Sequence, residues 1–297
     1  MNMAKKNDIY GRRTAVRRRR QRRLMAVREA VGVLFVVLAC WGIYKWLHEW
    51  EGRAQQVEIA RPADLGLAAA LQEVRLPEGT QEQIVEYPGF TVSFNAAMHM
   101  PNYVVWELTR DEVGGPVARL NNFYEDKSVR GCATPADYRK SGYSRGHMAP
   151  AADMKWSEEA MRASHNLTNV CPQLAALNGG AWSTLEDNCR SWAVRDSVLI
   201  IIAGPVATDR MPLHIGKNRV PVPERFFKVV LAPYVNPPRA IGFVMPNERV
   251  AGGVQACAMS VDEVEAITGM DFFAALPDEI EEQVEKQNSY PRWQSLK

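Results

Sequence analysis

The chain has 297 residues, of which 46% are hydrophobic and 24% charged, and it contains no internal repeat or low-complexity tract. This composition excludes a repeat array, and the roughly 250 residues that follow the first 47 suffice for one domain with its own hydrophobic core. The formal net charge of the whole chain is +2.

The charge is distributed unevenly, because residues 1–29 contain eleven Lys and Arg side chains against Asp8 and Glu29. This basic tail has a net charge of +9, whereas residues 30–297 hold 25 basic and 32 acidic side chains, a net charge of −7. Residues 30–47 then carry one charged side chain, Lys45. A hydrophobic run of about 18 residues after a basic tail predicts a single-pass transmembrane anchor with a cytoplasmic N-terminus. The rest of the chain is then expected in the periplasm or an equivalent extracytoplasmic space.

Three other interpretations of this N-terminal segment remain open. A signal peptide would be cleaved, but Trp46 and Leu47 stand where small residues would mark the cleavage site. An Arg-rich start with few acidic residues is also typical of a mitochondrial transit sequence. A basic tail alone can also bind nucleic acid.

After the anchor, the sequence predicts a stalk over residues 48–84, a main domain over residues 85–277 and a C-terminal tail over residues 278–297. Short apolar stretches bounded by turn residues predict strands; these are Phe90–Asn95, Tyr103–Thr109, Val198–Ala203, Phe226–Ala232 and Ala240–Met245. Apolar residues at helical spacing predict three helices, Ser157–Ser164, Leu174–Val194 and Val261–Thr268. The last helix follows a capping box that runs from Ser260 to Glu263. Because strands and helices are interspersed without a regular βαβ period, the predicted class is α+β.

Four cysteines lie in the predicted extracytoplasmic domain, namely Cys132, Cys171, Cys189 and Cys257, and Cys40 lies in the predicted anchor. An even number in an oxidising compartment predicts one or two disulfides, among three full pairings that the sequence does not separate. Free buried thiols are the alternative. The chain has no C-x-x-C spacing, which argues against a zinc site.

The side chains most indicative of chemistry are Arg145, His147, Asn178 and Glu186. Imidazole titrates close to neutral pH, so His147 is a candidate general base for the attack of water on a phosphodiester. Asn178 offers a neutral oxygen to a hydrated Mg²⁺ that few protein ligands hold. In the second predicted helix, Asn178, Trp182 and Glu186 share a face, so Glu186 is expected to support the hydrated metal. Arg145 precedes His147 by two residues and is expected to contact a phosphate.

The residues around His147 resemble the signature of a known family. Residues 145–154, Arg-Gly-His-Met-Ala-Pro-Ala-Ala-Asp-Met, are similar to the motif of the DNA/RNA non-specific endonucleases, the ββα-metal group of the Serratia nuclease and endonuclease G. Further short matches extend the resemblance over about residues 86–277; they include Trp156-Ser157, Thr168-Asn169-Val170, Pro172-Gln173, Leu177-Asn178, Gly204-Pro205, Phe227-Lys228-Val229 and Thr268–Phe273.

This resemblance implies a ββα-metal nuclease fold, in which helices flank a central mixed or antiparallel sheet. It implies a hydrolase that cleaves both DNA and RNA with Mg²⁺, or with Mn²⁺ as the alternative metal. His147 matches the general base of the family, and Asn178 matches the direct magnesium ligand. The family residues that match Arg145, Asn169 and Glu186 support the phosphate, the base or the hydrated metal. Homodimers are common in the family, although the sequence identifies no interface.

Two further positions bear on the resemblance. Arg119 resembles, through a looser alignment, another family arginine that lies near the scissile phosphate. Ser144 stands where the family motif usually begins with Asp, whose side chain holds the local turn. Ser can form the same side-chain to backbone bonds more weakly, so the substitution is expected to affect the rate or the pH optimum.

A serine hydrolase is the rival enzyme class, because residues 142–146 match G-x-S-x-G around Ser144 and His214 follows downstream. That nucleophile must leave a buried strand and begin a helix. Residues 137–141 are polar and Pro150 follows the motif, so the sequence disfavours this class.

The second alternative is a membrane-tethered nucleic-acid-binding or uptake module with a degenerate site. It is disfavoured because His147, Asn178 and Glu186 are all present. Either function needs a local basic surface, since the domain is acidic overall. The candidates for such a groove are Arg119, Arg130, Arg139, Lys140, Arg145 and Lys155.

Overall fold

The computed structural model describes residues 41–45, 70–208 and 212–294. The chain divides into two units, residues 1–56 and 57–297, and residues 41–45, the described part of the first unit, are helical. Among the described helices, none combines the length and the apolar character that crossing a membrane requires. The rest of the predicted anchor, residues 30–40 with Cys40 and residues 46–47, and the stalk up to residue 69 lie outside the described residues.

The second unit alternates strands with short helices. It begins with β1 (Val74–Arg75), β2 (Gln83–Tyr87), β3 (Phe90–Asn95) and β4 (Met100–Thr109). The segment that carries the motif forms α1 (Pro135–Tyr138), β5 (Ser144–His147), α2 (Glu158–Ser164), β6 (Val170–Gln173), α3 (Ala175–Asn178) and α4 (Ala181–Asp196). Then follow β7 (Val198–Pro205), β8 (His214–Ile215), β9 (Val220–Pro221), β10 (Arg225–Ala232), β11 (Arg239–Pro246) and β12 (Ala258–Met259). The last elements are α5 (Val261–Thr268), β13 (Asp271–Phe272), α6 (Asp278–Glu285) and α7 (Tyr290–Gln294).

Seven strands form one antiparallel sheet in the order β12-β11-β10-β7-β4-β3-β2. β4 and β7 are neighbours and pair Thr109 with Val198, although the whole segment from α1 to α4 lies between them in the chain. β5 and β6 form a separate antiparallel pair. The predicted α+β class with a central antiparallel sheet and flanking helices is therefore confirmed.

Both faces of the central sheet are covered, which explains why β7 is a continuous apolar run. Ile201 packs in the core that contains Trp182 and Trp192 of α4. The alternate residues Ile200 and Ile202 pack on the other face, with side chains of α5 and α6. The motif-bearing segment and the pair α5–α6 thus lie on opposite sides of the sheet.

All five predicted strands are present, since residues 90–95 form β3 and the other four lie within β4, β7, β10 and β11. The predicted helices over residues 157–164 and 261–268 form α2 and α5. The capping box is also formed, because Ser260 N donates to Glu263 Oε2 (2.7 Å) and Glu263 N donates to Ser260 Oγ (3.1 Å).

The single helix predicted over Leu174–Val194 is wrong. The chain forms α3 and α4 instead, separated by Gly179 and Gly180. Gly180 has no room for a side chain, since a Cβ there would lie 2.3 Å from the backbone oxygen of Ala176. This close approach lets α4 begin in a new direction, so Asn178 and Glu186 belong to different helices.

The main domain extends beyond the predicted boundaries at residues 85 and 277. On the N-terminal side, Leu71 is buried and β1 pairs with β13. On the C-terminal side, the predicted tail forms α6 and α7, where Val284 is buried and Trp293 is only 2% exposed. Each end contributes only a few buried apolar side chains, Leu71 on one side and Val284 and Trp293 on the other, so the sequence carries little signal there.

The four cysteines of the described domain are free and buried. Burial raises the pKa of each thiol, with that of Cys132 reaching about 11 and that of Cys189 about 12. The structure therefore agrees with the alternative of free thiols and not with the predicted disulfides.

Candidate active site

His147 is the last residue of β5 and pairs with Val170, the first residue of β6. Its side chain is only 6% exposed, and within the described part of the chain its buried Nε2 has no hydrogen-bond partner. A buried imidazole nitrogen without a partner costs free energy unless a ligand or water contacts it. This atom is therefore available to a reacting group.

Asn169 fixes the backbone that directly follows His147. Its Oδ1 accepts from Ala149 N, and its Nδ2 donates to the backbone oxygens of Ala149 and Ser164, each at 2.9 Å. Met148 N also donates to the backbone oxygen of Asn169 (2.9 Å). Asn169 is fully buried, so its side chain holds this backbone and is not exposed to the cleft.

Trp182 connects His147 to α4, because its Nε1 donates to the backbone oxygen of His147 (3.3 Å). On the other side, the imidazole contacts the rings of Phe123 and His165, and both centroid distances are 5.0 Å. Burial lowers the pKa of His147 well below its usual value, and His165, Arg119 and Arg145 lower it further. His147 is therefore neutral at pH 7, as a general base must be.

A basic cleft lies beside His147. Nine residues line its volume of about 570 Å³: Arg119, Phe123, Pro135, Tyr138, Arg139, Lys140, Tyr143, Ser144 and Arg145. Four of the six basic residues that the sequence grouped are thus brought together, whereas Arg130 and Lys155 are not among them. Arg145 stacks over the Phe123 ring at 4.5 Å from its centroid, which orients the guanidinium toward the cleft.

Asn178 ends α3, the helix that contacts β5. Its side chain is half-buried, and among the described residues it makes no hydrogen bond, so its amide oxygen is free to take a ligand. Glu186 is also half-buried, on α4 one turn after Trp182. Burial raises the pKa of Glu186 to about 7 and Asp153 adds to the rise, whereas Lys228, Arg190 and Arg119 oppose it. An amide oxygen and one carboxylate suit a hydrated Mg²⁺, which keeps several waters.

Three charged side chains that sequence reasoning missed act on Glu186: the buried Asp153 and Lys228 and the half-buried Arg190. Arg190 donates to Asp153 Oδ1 (2.8 Å), and Trp106 Nε1 donates to Asp153 Oδ2 (3.1 Å). Lys228 is fully buried, and no described residue accepts a hydrogen bond from its Nζ. This Nζ lies 4.5 Å from the Trp182 ring centroid and 5.2 Å from that of Trp106. A lysine inside the apolar run of β10 was the available sequence signal.

Gln173 is a second residue that sequence reasoning did not assign to the site. It is fully buried, and neither polar atom of its side chain has a hydrogen-bond partner in the described residues. Its side chain lies against Gly146, where a Cβ would come within 2.1 Å of Gln173 Oε1. Gly146 therefore makes room for a free amide next to His147.

Ser144 does not hold the turn before β5. Ser141 does so instead, since its Oγ donates to Tyr138 O (2.9 Å) and accepts from Tyr143 N (3.1 Å). Ser144 begins a strand and no helix follows it directly, so the nucleophile elbow of a serine hydrolase is absent. The suggested partner His214 is exposed in β8.

Known proteins similar to this chain are nucleases. A family model described as DNA/RNA non-specific endonuclease matches residues 67–279. The mitochondrial nuclease EXOG of Mus musculus is 32% identical over 243 residues, which cover 75% of this chain and 66% of that protein. A nuclease of Nostoc sp. is 32% identical over 211 residues, 66% of this chain and 75% of that protein. Among solved structures, one in an EndoG/EndoGI complex has a TM-score of 0.62 and 25% identity, and the match covers 66% of this chain and 88% of that chain.

Proposed function

Because the chain belongs to the DNA/RNA non-specific endonuclease family, we propose that it is a magnesium-dependent endonuclease that hydrolyses phosphodiester bonds in DNA and RNA. The observation that carries this proposal is a buried, neutral His147 with a free Nε2 beside a cleft lined by arginines. The basic side chains of the cleft select a polyanion by charge.

In the proposed mechanism, Nε2 of His147 removes a proton from a water molecule, which attacks the phosphorus in line with the departing 3′ oxygen. The bond from phosphorus to the 3′ oxygen breaks, this oxygen takes a proton from a solvent water, and a 5′ phosphate and a 3′ hydroxyl result. Arg145 and Arg119 line the cleft next to this base and neutralise the non-bridging oxygens as negative charge develops. Asn169 and Trp182 hold the base at its position through the backbone of residues 147–149.

Asn178 and Glu186 are the residues proposed to hold the metal, Asn178 directly and Glu186 through hydrogen bonds to hydrating water. Their chemistry fits Mg²⁺, since a free amide oxygen and one carboxylate are oxygen ligands of the kind that this hydrated ion accepts. Bound Mg²⁺, or Mn²⁺ in its place, would stabilise the charge on the phosphate and on the leaving oxygen.

Cleavage of supercoiled plasmid and of total RNA tests the proposal. The full chain is incubated with Mg²⁺ or with EDTA, and the wild type is compared with His147→Ala. The variant is expected to be slower by roughly 10²–10⁴, the usual contribution of a general base. His214→Ala is the matched control, because this histidine is exposed and lies outside the cleft. Wild-type rates for His147→Ala would remove His147 from the mechanism. Binding without cleavage in Mg²⁺ would favour the tethered binding module.

We also propose, from the sequence of residues 1–47, that the enzyme is anchored in a membrane with its nuclease domain outside the cytoplasm. Support comes from the basic tail and the uncharged stretch that follows it. Reporter fusions after residue 56 test the topology. A reporter enzyme that works only outside the cytoplasm is expected to be active when it is fused there. Recovery of the chain in the soluble fraction with its N-terminus intact would contradict the anchor.

A further inference from the structure

Three carboxylates converge where α5 meets α6, on the face of the sheet opposite to His147. Asp262 and Glu265 lie one turn apart on α5, and Glu285 is the last residue of α6. One oxygen of each side chain lies within 4.8 Å of the others. Within the described residues, this is where at least three side chains of the His, Cys, Asp and Glu types come together closely enough to share one ion.

Glu285 is the member of this carboxylate cluster that most needs a partner. It is only 7% exposed, and its Oε1 has no hydrogen-bond partner among the described residues. Burial raises the pKa of Glu285 to about 9, and the charges of Glu265, Glu281 and Asp262 add to the rise. A buried carboxylate without a partner is costly, so Glu285 must take either a proton or a cation.

The basic side chains nearby are engaged elsewhere. Lys286 pairs with Glu282 on the exposed side of α6 (2.5 Å), and Arg75 pairs with Asp271 (3.1 Å). In the part of the chain that the structure describes, no Lys, Arg or His forms an ion pair with Asp262, Glu265 or Glu285. The cluster therefore presents three oxygen ligands, with up to three negative charges, to an ion from solution.

We propose that Asp262, Glu265 and Glu285 form a second cation site, separate from the nuclease site, and that it binds Ca²⁺. Calcium takes six to eight oxygen ligands at roughly 2.3–2.6 Å, so oxygens on opposite sides of the ion lie about 5 Å apart, which the spacing of the cluster fits. Waters complete the shell at the half-buried Asp262 and Glu265. Magnesium is less suited, because it usually keeps most of its waters and uses one or two carboxylates.

The bound ion would fasten α6 to α5. The family match ends at residue 279, so Glu285 belongs to the C-terminal part of this chain that lies beyond it. Asp262 and Glu265 lie within the matched region and Glu285 lies beyond it, so an ion bound by all three would hold this C-terminal part on the domain. Its role is thus structural, and nuclease chemistry does not pass through it.

Calcium titration calorimetry on the full chain tests the proposal. All variants carry Asn178→Ala, which removes the proposed ligand of the nuclease site. One equivalent of Ca²⁺ is expected to bind, with a dissociation constant of about 10⁻⁴–10⁻³ M, as in other water-exposed carboxylate sites. Adding Glu285→Gln is expected to weaken binding by ten-fold or more. Adding Glu279→Gln, the same change at an exposed position of α6, is expected to leave binding unchanged.

Asp262→Asn provides a second test at a half-buried position and is also expected to weaken binding, with circular dichroism to verify folding. Ca²⁺ should raise the melting temperature of Asn178→Ala but not that of Asn178→Ala/Glu285→Gln. The proposal is overturned if no Ca²⁺ binds up to about 10 mM, well above this range of dissociation constants. It is equally overturned if Glu285→Gln and Asp262→Asn bind Ca²⁺ like the parent, and Glu285 is then a protonated structural carboxyl.

Discussion

Replacing Lys228 by Met tests whether a buried cation controls the ionisation of Glu186. Burial raises the pKa of Glu186 to about 7, and Lys228 is the leading charge that opposes this rise. Without Lys228 the pKa should rise by about one unit, the lower end of the effect of a close opposite charge. The ionised fraction of Glu186 at pH 7 would then fall from about one half to about one eleventh, a roughly five-fold change. Since ionised Glu186 is proposed to support the hydrated metal, the Mg²⁺ concentration for half-maximal rate should rise about five-fold.

The assay is the initial rate of plasmid cleavage against Mg²⁺ concentration for Lys228→Met and the wild type. At pH 9 Glu186 is ionised in both proteins, so the difference should nearly vanish. In a Glu186→Gln background, Lys228→Met should add no further loss, because the two residues act through one ionisation. A loss that persists at pH 9 or in the Glu186→Gln background would refute this reasoning and give Lys228 a steric role. Met fills a similar volume, and the melting temperature of the variant verifies that it remains folded.

Three further predictions concern the cleft and the support of the base. For a DNA duplex, Arg139→Gln should reduce the slope of the log binding constant against the log salt concentration by about one. Arg130 lies outside the cleft lining, so Arg130→Gln should leave this slope unchanged. Equal slopes in both variants would contradict the assignment of the cleft. Asn169→Ala removes three buried hydrogen bonds. It should lower the free energy of unfolding, measured in urea, by roughly 1–3 kcal/mol and should also slow plasmid cleavage. An unchanged urea midpoint and cleavage rate would exclude the positioning role of Asn169. Gly146→Ala should destabilise the folded protein by roughly 1–3 kcal/mol, because the added methyl group would be packed too closely against Gln173. Adding Gln173→Ala to this variant should restore the melting temperature. If it does not, the crowding lies elsewhere.

Most of the central sheet follows from local sequence, because its strands are long apolar runs with clear ends. Val198–Ala203 stops at Gly204-Pro205, and β7 ends at Pro205. The pair β5–β6 could not be recognised in this way, since residues 144–147 are Ser-Arg-Gly-His and carry no apolar pattern. Its strands exist because they pair with each other and because Asn169 and Trp182 hold them. Tertiary bonds of this kind leave no local signal.

The site was predictable where motif residues are close in the chain. Arg145 and His147 are two residues apart, and the structure places Arg145 in the cleft lining with Arg119 and His147 beside it, against Phe123. The relation of Asn178 to Glu186 was not predictable, because periodicity does not show that Gly180 breaks the helix. Lys228 was missed because it comes from β10, far along the chain. Its position next to Trp182 depends on how the sheet packs against α4.

The pairing of β4 with β7 has a consequence for how the protein folds. Every proposed nuclease-site residue from Arg119 to Glu186 lies in the segment that separates these two neighbouring strands. Contacts within that segment close short loops, whereas joining Thr109 to Val198 closes a long one and is entropically the later event. We therefore expect the β5–β6 pair and α4 to form compact structure early in refolding. Nuclease activity should nevertheless return only when β4 meets β7. Trp106 of β4 donates a hydrogen bond to Asp153, and Trp182 packs against Phe226 of β10, which pairs with β7, so the assembled sheet supports the site.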